Sequence, residues 1–244
     1  MPRLEATHTV NEGVDSWDSA GATDVGLVRQ LNEDSFLDRP DRGLWVVADG
    51  MGGHACGDVA SRMLCAQLNE LLYSEKLSEA VNAVDDCITG VNQELIALAQ
   101  SEHAGNIVGS TVIAMVARGQ QCACLWAGDS RLYRLRDGLL SCLSEDHSLV
   151  GDAYAANSNI ITRAVGSDAH LVLDVDAFNL IKGDRYLLCS DGLSKELSDA
   201  VIAQILLKGG VRETSAALIE GALKAGGGDN VTVIVADYCP VDHP

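Results

Sequence analysis

Four short apolar runs in this chain stop at, or start from, an aspartate beside a glycine or an asparagine. Val46-Val47-Ala48 ends at Asp49-Gly50, Leu125-Trp126-Ala127 at Gly128-Asp129, and Leu187-Leu188-Cys189-Ser190 at Asp191-Gly192; Val231-Thr232-Val233 begins just after Asp229-Asn230. One such junction is ordinary turn chemistry, since aspartate and glycine close strands readily. Four constrain the fold. In antiparallel pairs the start of one strand lies beside the end of its neighbour, so the four acids are expected along one sheet edge. Carboxylates gathered there repel and raise one another's pKa, and the usual compensation is a divalent cation on hard oxygen ligands. An oxygen-only donor set suits magnesium or manganese better than zinc, and no His or Cys pair competes for the ion. With no Cβ at Gly50, its carbonyl can be offered to the same cation.

The rest of the chain supplies the layers. Segments 22–28, 34–38 and 43–49 are short and apolar or alternating and are read as strands, followed by helical spacing from Gly57 to about Ser74 and over 77–100, with Gly90 as a blemish. Strands return at 110–118, 120–129 and 130–140, then at 170–180 and 184–192; two helices are expected within 195–225 and a closing strand over 230–238. Runs of strands broken by paired helices argue for α+β layers and against the βαβ alternation of a nucleotide-binding sheet. With no repeat, no low-complexity tract and four prolines, the 244 residues are expected to form a single domain over 22–244, preceded by an extension, 1–21, that could add an edge strand.

Charge narrows the partners. Seventeen Lys and Arg against 35 Asp and Glu leave −18, which disfavours nucleic acid and anionic membrane. No apolar run approaches the ~20 residues of a membrane span, and residues 1–15 lack the apolar core of a signal peptide, so a cytoplasmic location is expected. The eight cysteines contain no Cys-x-x-Cys pair. Cys122 and Cys124, on one face of an expected strand, are read as packing, and Cys56 as an oxidisable candidate near the glycines.

Beside the acids stands GLVRQLNEDS, 26–35, where Arg29 offers the planar two-point grip that suits phosphate oxygens, and His54 follows Asp-Gly-Met-Gly-Gly. In order along the chain come GLVRQLNEDS, VVADGMGGH with GDVAS, GST at 109–111, WAGDSRLY at 126–133, EDHS at 145–148, ITRAVG at 161–166, CSDGLS at 189–194 and GGDNVTVIV at 227–235. Together these resemble the metal-dependent protein serine/threonine phosphatases of the PP2C or PPM group, in compact bacterial form, over roughly residues 22–237.

That resemblance implies a four-layer α-β-β-α sandwich, two antiparallel sheets flanked by helical pairs. It implies two Mn2+ or Mg2+ ions, with Asp49 bridging both, the Gly50 carbonyl serving one, and Asp191 and Asp229 serving the other. Asp129, with Asp191, resembles the pair that holds a weaker third ion. Arg29 matches the phosphate-binding arginine, His54 the proposed general acid, and Glu33 and Asp34 the acids that hold water around the metals, with Asn230 expected beside them. The implied reaction is hydrolysis of phosphoserine or phosphothreonine in a protein by a hydroxide shared between the ions, in a monomer opposing a bacterial serine/threonine kinase.

Two departures accompany the resemblance. The flap, about 146–165, is short, and Asp58 stands where a glutamate is more usual, an acid suited to a first helical turn in either form. The competing reading is a module that keeps the fold but binds a partner without hydrolysis. A different hydrolase ranks lower, since the serine-hydrolase elbow, the P-loop and the zincin motif are all absent. The sequon at Asn230-Val231-Thr232 and the Asp174-Val175-Asp176 pattern are read as strand residues.

Overall fold

A computed structural model describes residues 17–52, 56–72, 74–102, 107–150 and 159–240. One sheet has the order β1 (Trp17–Asp24), β13 (Val231–Tyr238), β12 (Arg185–Cys189), β7 (Arg131–Arg136) and β8 (Leu139–Cys142). The other runs β11 (Asp174–Asn179), β6 (Gln121–Ala127), β5 (Val112–Arg118), β3 (Leu44–Gly52) and β2 (Asp34–Arg39), with β4 (Val108–Ser110) paired to the end of β3. All pairings are antiparallel. Helices α1 (Gly57–Asn69) and α2 (Leu77–Glu102) cover the second sheet; a single turn α3 (Asp191–Ser194), then α4 (Asp199–Leu206) and α5 (Val211–Ala225), covers the first. The short hairpin of β9 (Ser148–Val150) and β10 (Asn159–Ile161) belongs to the described part of the flap.

The layering follows from strands whose two faces are both apolar. Successive side chains on a strand point to opposite faces. In β3, Leu44, Val46 and Ala48 therefore join the layer under α1 and α2, whereas Trp45 and Val47 face the other sheet. In β13, Val231, Val233 and Val235 meet the α4–α5 layer, and Ile234, Ala236 and Tyr238 enter the same inter-sheet core. Each fully buried Val, Leu or Ile contributes roughly 1.5–3 kcal/mol. Cys122 and Cys124 point into the inter-sheet core, where burial raises both thiols far above their usual pKa and packing is their role.

The structure moves one expected element. The strand read over 22–28 begins at Trp17 and stops at Asp24, and edge strand β1 runs unbroken through position 21. Its alternation was concealed by small residues: Ala20 and Ala22 face α5's layer while Trp17 packs 4.6 Å from the Trp45 ring. At its end Gly26 takes φ +79, and Leu27 N–H donates to the Gly227 carbonyl at 2.7 Å, so 25–28 is a turn beside the acidic edge. Residues 1–16 of the expected extension lie outside the described residues. The two helices expected within 195–225 are α4 and α5, with α3 as an extra turn at Asp191.

Candidate metal centre

Register places the acids. Asp34 opens β2 directly opposite Asp49 near the end of β3. On the facing sheet Cys189 at the end of β12 pairs with Val233, so Asp191 just past β12 and Asp229 just before β13 lie at the same end. Asp129 follows β6 two residues beyond Ala127, which pairs with Val112 at the start of β5. The backbone approach is tight: a Cβ on Gly192 would stand 1.9 Å from the Asn230 carbonyl oxygen, so only glycine allows the two chain segments to cross there.

Hydrogen bonds tie the two sheets together under this edge. Ser190 Oγ donates to Asp34 Oδ2 at 2.8 Å and accepts from the Thr232 N–H at 3.0 Å. Thr111 N–H and Ser110 Oγ both donate to the Asp49 carbonyl, at 2.8 and 3.0 Å, and the Asp49 N–H donates to Thr111 Oγ1 at 3.1 Å. The Asp49 backbone is thereby fixed while its carboxylate is left to the cleft.

The charges behave as crowded carboxylates should. Burial, with the fields of Asp191 and Asp229 added, pushes the Asp34 pKa up to about 7 despite the Ser190 hydrogen bond. Asp49 keeps part of its surface open, yet its carboxyl lies deep among protein atoms. Burial and the charges of Asp34, Asp191, Asp129 and Asp229 raise its pKa well above the usual carboxylate range. Burial and then Asp191 push Asp129 up to about 6. Oδ1 of Asp34, of Asp129 and of Asp191 is buried with no hydrogen-bond partner among the described residues. An unsatisfied buried carboxylate oxygen is costly, and three around one cleft need a cation.

Two protein cations already lean on the cleft. Arg29, half exposed, contacts both carboxylate oxygens of Asp229, Nε at 3.0 Å and Nη2 at 3.1 Å. Lys195 places its ammonium on Asp191 Oδ2. Among the described residues no three acid, His or Cys side chains are drawn together into a finished ligand set. The acids share one electrostatic site while two of them are turned toward Arg29 and Lys195.

The remaining expected residues fall into distinct positions. Asn230 accepts the Glu33 N–H at 2.9 Å and donates Nδ2 to the Val25 and Leu31 carbonyls at 2.9 and 3.0 Å, so it latches the Arg29 loop to the edge. Glu33 reaches the other way and accepts the Gly57 N–H at 3.1 Å at the start of α1, while Gly50 N–H donates to the Glu33 carbonyl at 3.1 Å. Asp58 lies in the first turn of α1 and pairs with Arg62 at 3.1 Å. His54 lies outside the described residues. Ser190, Thr111 and Lys195 were given no role in the sequence; Thr111 and Ser190 lie within the quoted GST and CSDGLS motifs, and Lys195 left an i,i+4 spacing from Asp191.

A family model for protein phosphatase 2C matches residues 28–215. The chain belongs to the protein phosphatase 2C family. It is 36% identical over 237 residues to the serine/threonine protein phosphatase PstP of Mycobacterium tuberculosis, covering 92% of this chain and 45% of PstP, so it spans about half the length of that relative. Against the serine/threonine phosphatase stp of Listeria innocua, identity is 33%, covering 88% of this chain and 93% of stp. Among solved structures, PppA, a key regulatory component of T6SS in Pseudomonas aeruginosa, superposes with a TM-score of 0.87 at 40% identity, over 91% of this chain and 97% of PppA. The PstP catalytic domain in complex with two manganese ions superposes at 0.81, over 91% and 98%. The cleft of this phosphatase 2C chain fits hard divalent ions on its own terms: its donors are oxygens, its carboxyls are crowded, and three of their oxygens lack hydrogen-bond partners among the described residues.

Proposed function

We propose that this chain is a metal-dependent protein serine/threonine phosphatase, hydrolysing phosphoserine and phosphothreonine in proteins. The observation that carries the reading is the gathering of Asp34, Asp49, Asp129, Asp191 and Asp229 at one end of both sheets, where burial and neighbouring carboxylates raise the pKa of Asp34, Asp49 and Asp129 and Oδ1 of Asp34, Asp129 and Asp191 has no hydrogen-bond partner among the described residues. Family membership and the manganese-bound catalytic domain of PstP support it. Asp49, the Gly50 carbonyl, Asp191 and Asp229 would hold two Mn2+ or Mg2+ ions, and Asp129 with Asp191 a weaker third. Bound there, such ions would balance charge on the phosphoryl oxygens and lower the pKa of a water.

The chain's own residues do the rest. Arg29, exposed at the rim and latched through Asn230, grips phosphate oxygens and orients the phosphorus toward the acids. His54 donates a proton to the departing serine or threonine oxygen, a poor leaving group without it. Glu33 and Asp34 hold the loop and water around the centre.

The phosphatase acts as a monomer in the cytoplasm, opposing a serine/threonine kinase. Among the described residues no helix is long and apolar enough to cross a membrane. The deciding experiment is manganese-dependent release of phosphate from a phosphoserine peptide. Activity abolished by chelator and restored by Mn2+ is expected; tight peptide binding without phosphate release would instead mark a binding module.

A further inference from the structure

One charged group at the cleft has no part in that reading. Lys195 directly follows α3, and its ammonium rests on Asp191 Oδ2, one turn back along the chain. Its field also reaches Asp129 and Asp229. Asp129 is 3% exposed and Asp191 8%, and Oδ1 of each lacks a hydrogen-bond partner among the described residues. These two carboxylates are the pair assigned above to the weaker third ion. The Lys195 side chain is itself 46% exposed, so its flexible stem can carry the ammonium out to solvent and back.

We propose that Lys195 is a resident counter-cation at the Asp129–Asp191 end of the cleft, competing with a third divalent ion and holding the centre at two ions when metal is scarce. The inference rests on the two-ion reading above. A tethered ammonium is always present beside Asp191, whereas a free dication must be drawn from solution at the cost of its hydration. The ammonium carries a single charge and is paired here with Asp191, so a dication, with twice the charge and room for both carboxylates, displaces it once the metal concentration rises. Because Asp191 is shared between the pair and the main centre, the competition also links the third ion to the other two.

The test counts Mn2+ bound per chain by equilibrium dialysis, with free Mn2+ read from its paramagnetic resonance signal. The intact protein should bind two ions tightly and a third weakly. Lys195→Gln and the equally neutral Lys195→Met should tighten the third class about two- to fivefold, the size expected for one partly solvated charge pair. Lys195→Arg should keep it weak, and adding Asp129→Asn to Lys195→Gln should erase the gain. Unchanged third-ion affinity in both neutral variants, or a gain that survives Asp129→Asn, overturns the proposal. No Mn2+ binding by the intact protein overturns the two-ion reading and this inference with it.

Discussion

Replacing Gly50 by alanine probes the backbone that carries the proposed centre. A Cβ built there would stand 2.2 Å from the Gly57 carbonyl oxygen, 2.4 Å from its carbon and 2.5 Å from the Glu33 carbonyl oxygen. All are backbone atoms, at the start of α1 and at the approach to β2, so no rotamer change relieves the clash. Ordinary contact begins near 3.4 Å, and one of the two segments must therefore retreat by about 1 Å. Overpacking of this kind costs about 1–3 kcal/mol. For a domain of this size, about 2–4 °C of melting temperature accompanies each kcal/mol, so a fall of roughly 6–12 °C is expected at the upper end of that cost. Metal ligands tolerate displacements of only about 0.2 Å, so the larger loss should be in Mn2+ affinity.

Calorimetric melting in chelator measures the first effect, and Mn2+ titration calorimetry the second. Gly90→Ala is the control. Gly90 lies inside α2, and its Cβ would meet nothing within 4 Å. Alanine there should stabilise by about 0.5–1 kcal/mol, raising the melting temperature a few degrees and leaving Mn2+ affinity unchanged. A Gly50→Ala protein with the parent's melting temperature and the parent's Mn2+ affinity would refute the account of how β3, α1 and the Glu33 loop set the centre.

Three further outcomes are expected. Asp191→Asn should remove manganese-dependent phosphate release while the protein stays folded, since the variant keeps the shape and loses only charge; full activity would count against the centre. His54→Ala should slow hydrolysis of a phosphoserine peptide far more than that of nitrophenyl phosphate, whose leaving group needs no proton, and equal losses would reject the acid role. In chelator, the proton on Asp34, with its pKa raised from 3.8 to about 7, supports the fold fully below the unfolded value and is lost as pH climbs through the folded one. Asp49 and Asp129 shift the same way, so the melting temperature in chelator should fall between about pH 4 and about pH 7, and Mn2+ should flatten that slope. A melting temperature in chelator that rises over that interval would contradict the crowding.

What the sequence revealed and what it hid have physical reasons. The strands of the inter-sheet core were legible because both faces of strands such as β3 and β13 are apolar, which leaves short, near-continuous runs rich in β-branched and aromatic residues. Edge strand β1 was half hidden because Ser19, Ala20, Gly21 and Ala22 carry too little side chain to show alternation. Ser19 is buried nonetheless, donating its hydroxyl to the buried carboxylate of Asp38 at 2.5 Å. Gly21 has room only for the Phe36 ring, since a Cβ there would lie 2.2 Å from it. Such pairings depend on which strand is the neighbour, a long-range fact that a local pattern does not encode.

The acids were legible for the opposite reason. A carboxylate in mid-strand is buried on one layer or the other and needs a partner there, as Asp38 has in Ser19, so acids that must stay open to a shared cleft are placed where strands begin and end. Antiparallel register then brings those ends together without further instruction. What chain spacing does not encode is which positive groups answer them. Arg29 lies 200 residues from its partner Asp229 in sequence, and Asn230, which ties Arg29's loop down, reads in isolation as part of a sequon. Lys195 answers Asp191 at the short range where a helical turn makes i and i+4 neighbours, and its charge then acts on Asp129, which only the fold brings near. The local pair was therefore open to inspection in the sequence, while its consequence for the cleft needed the two sheets.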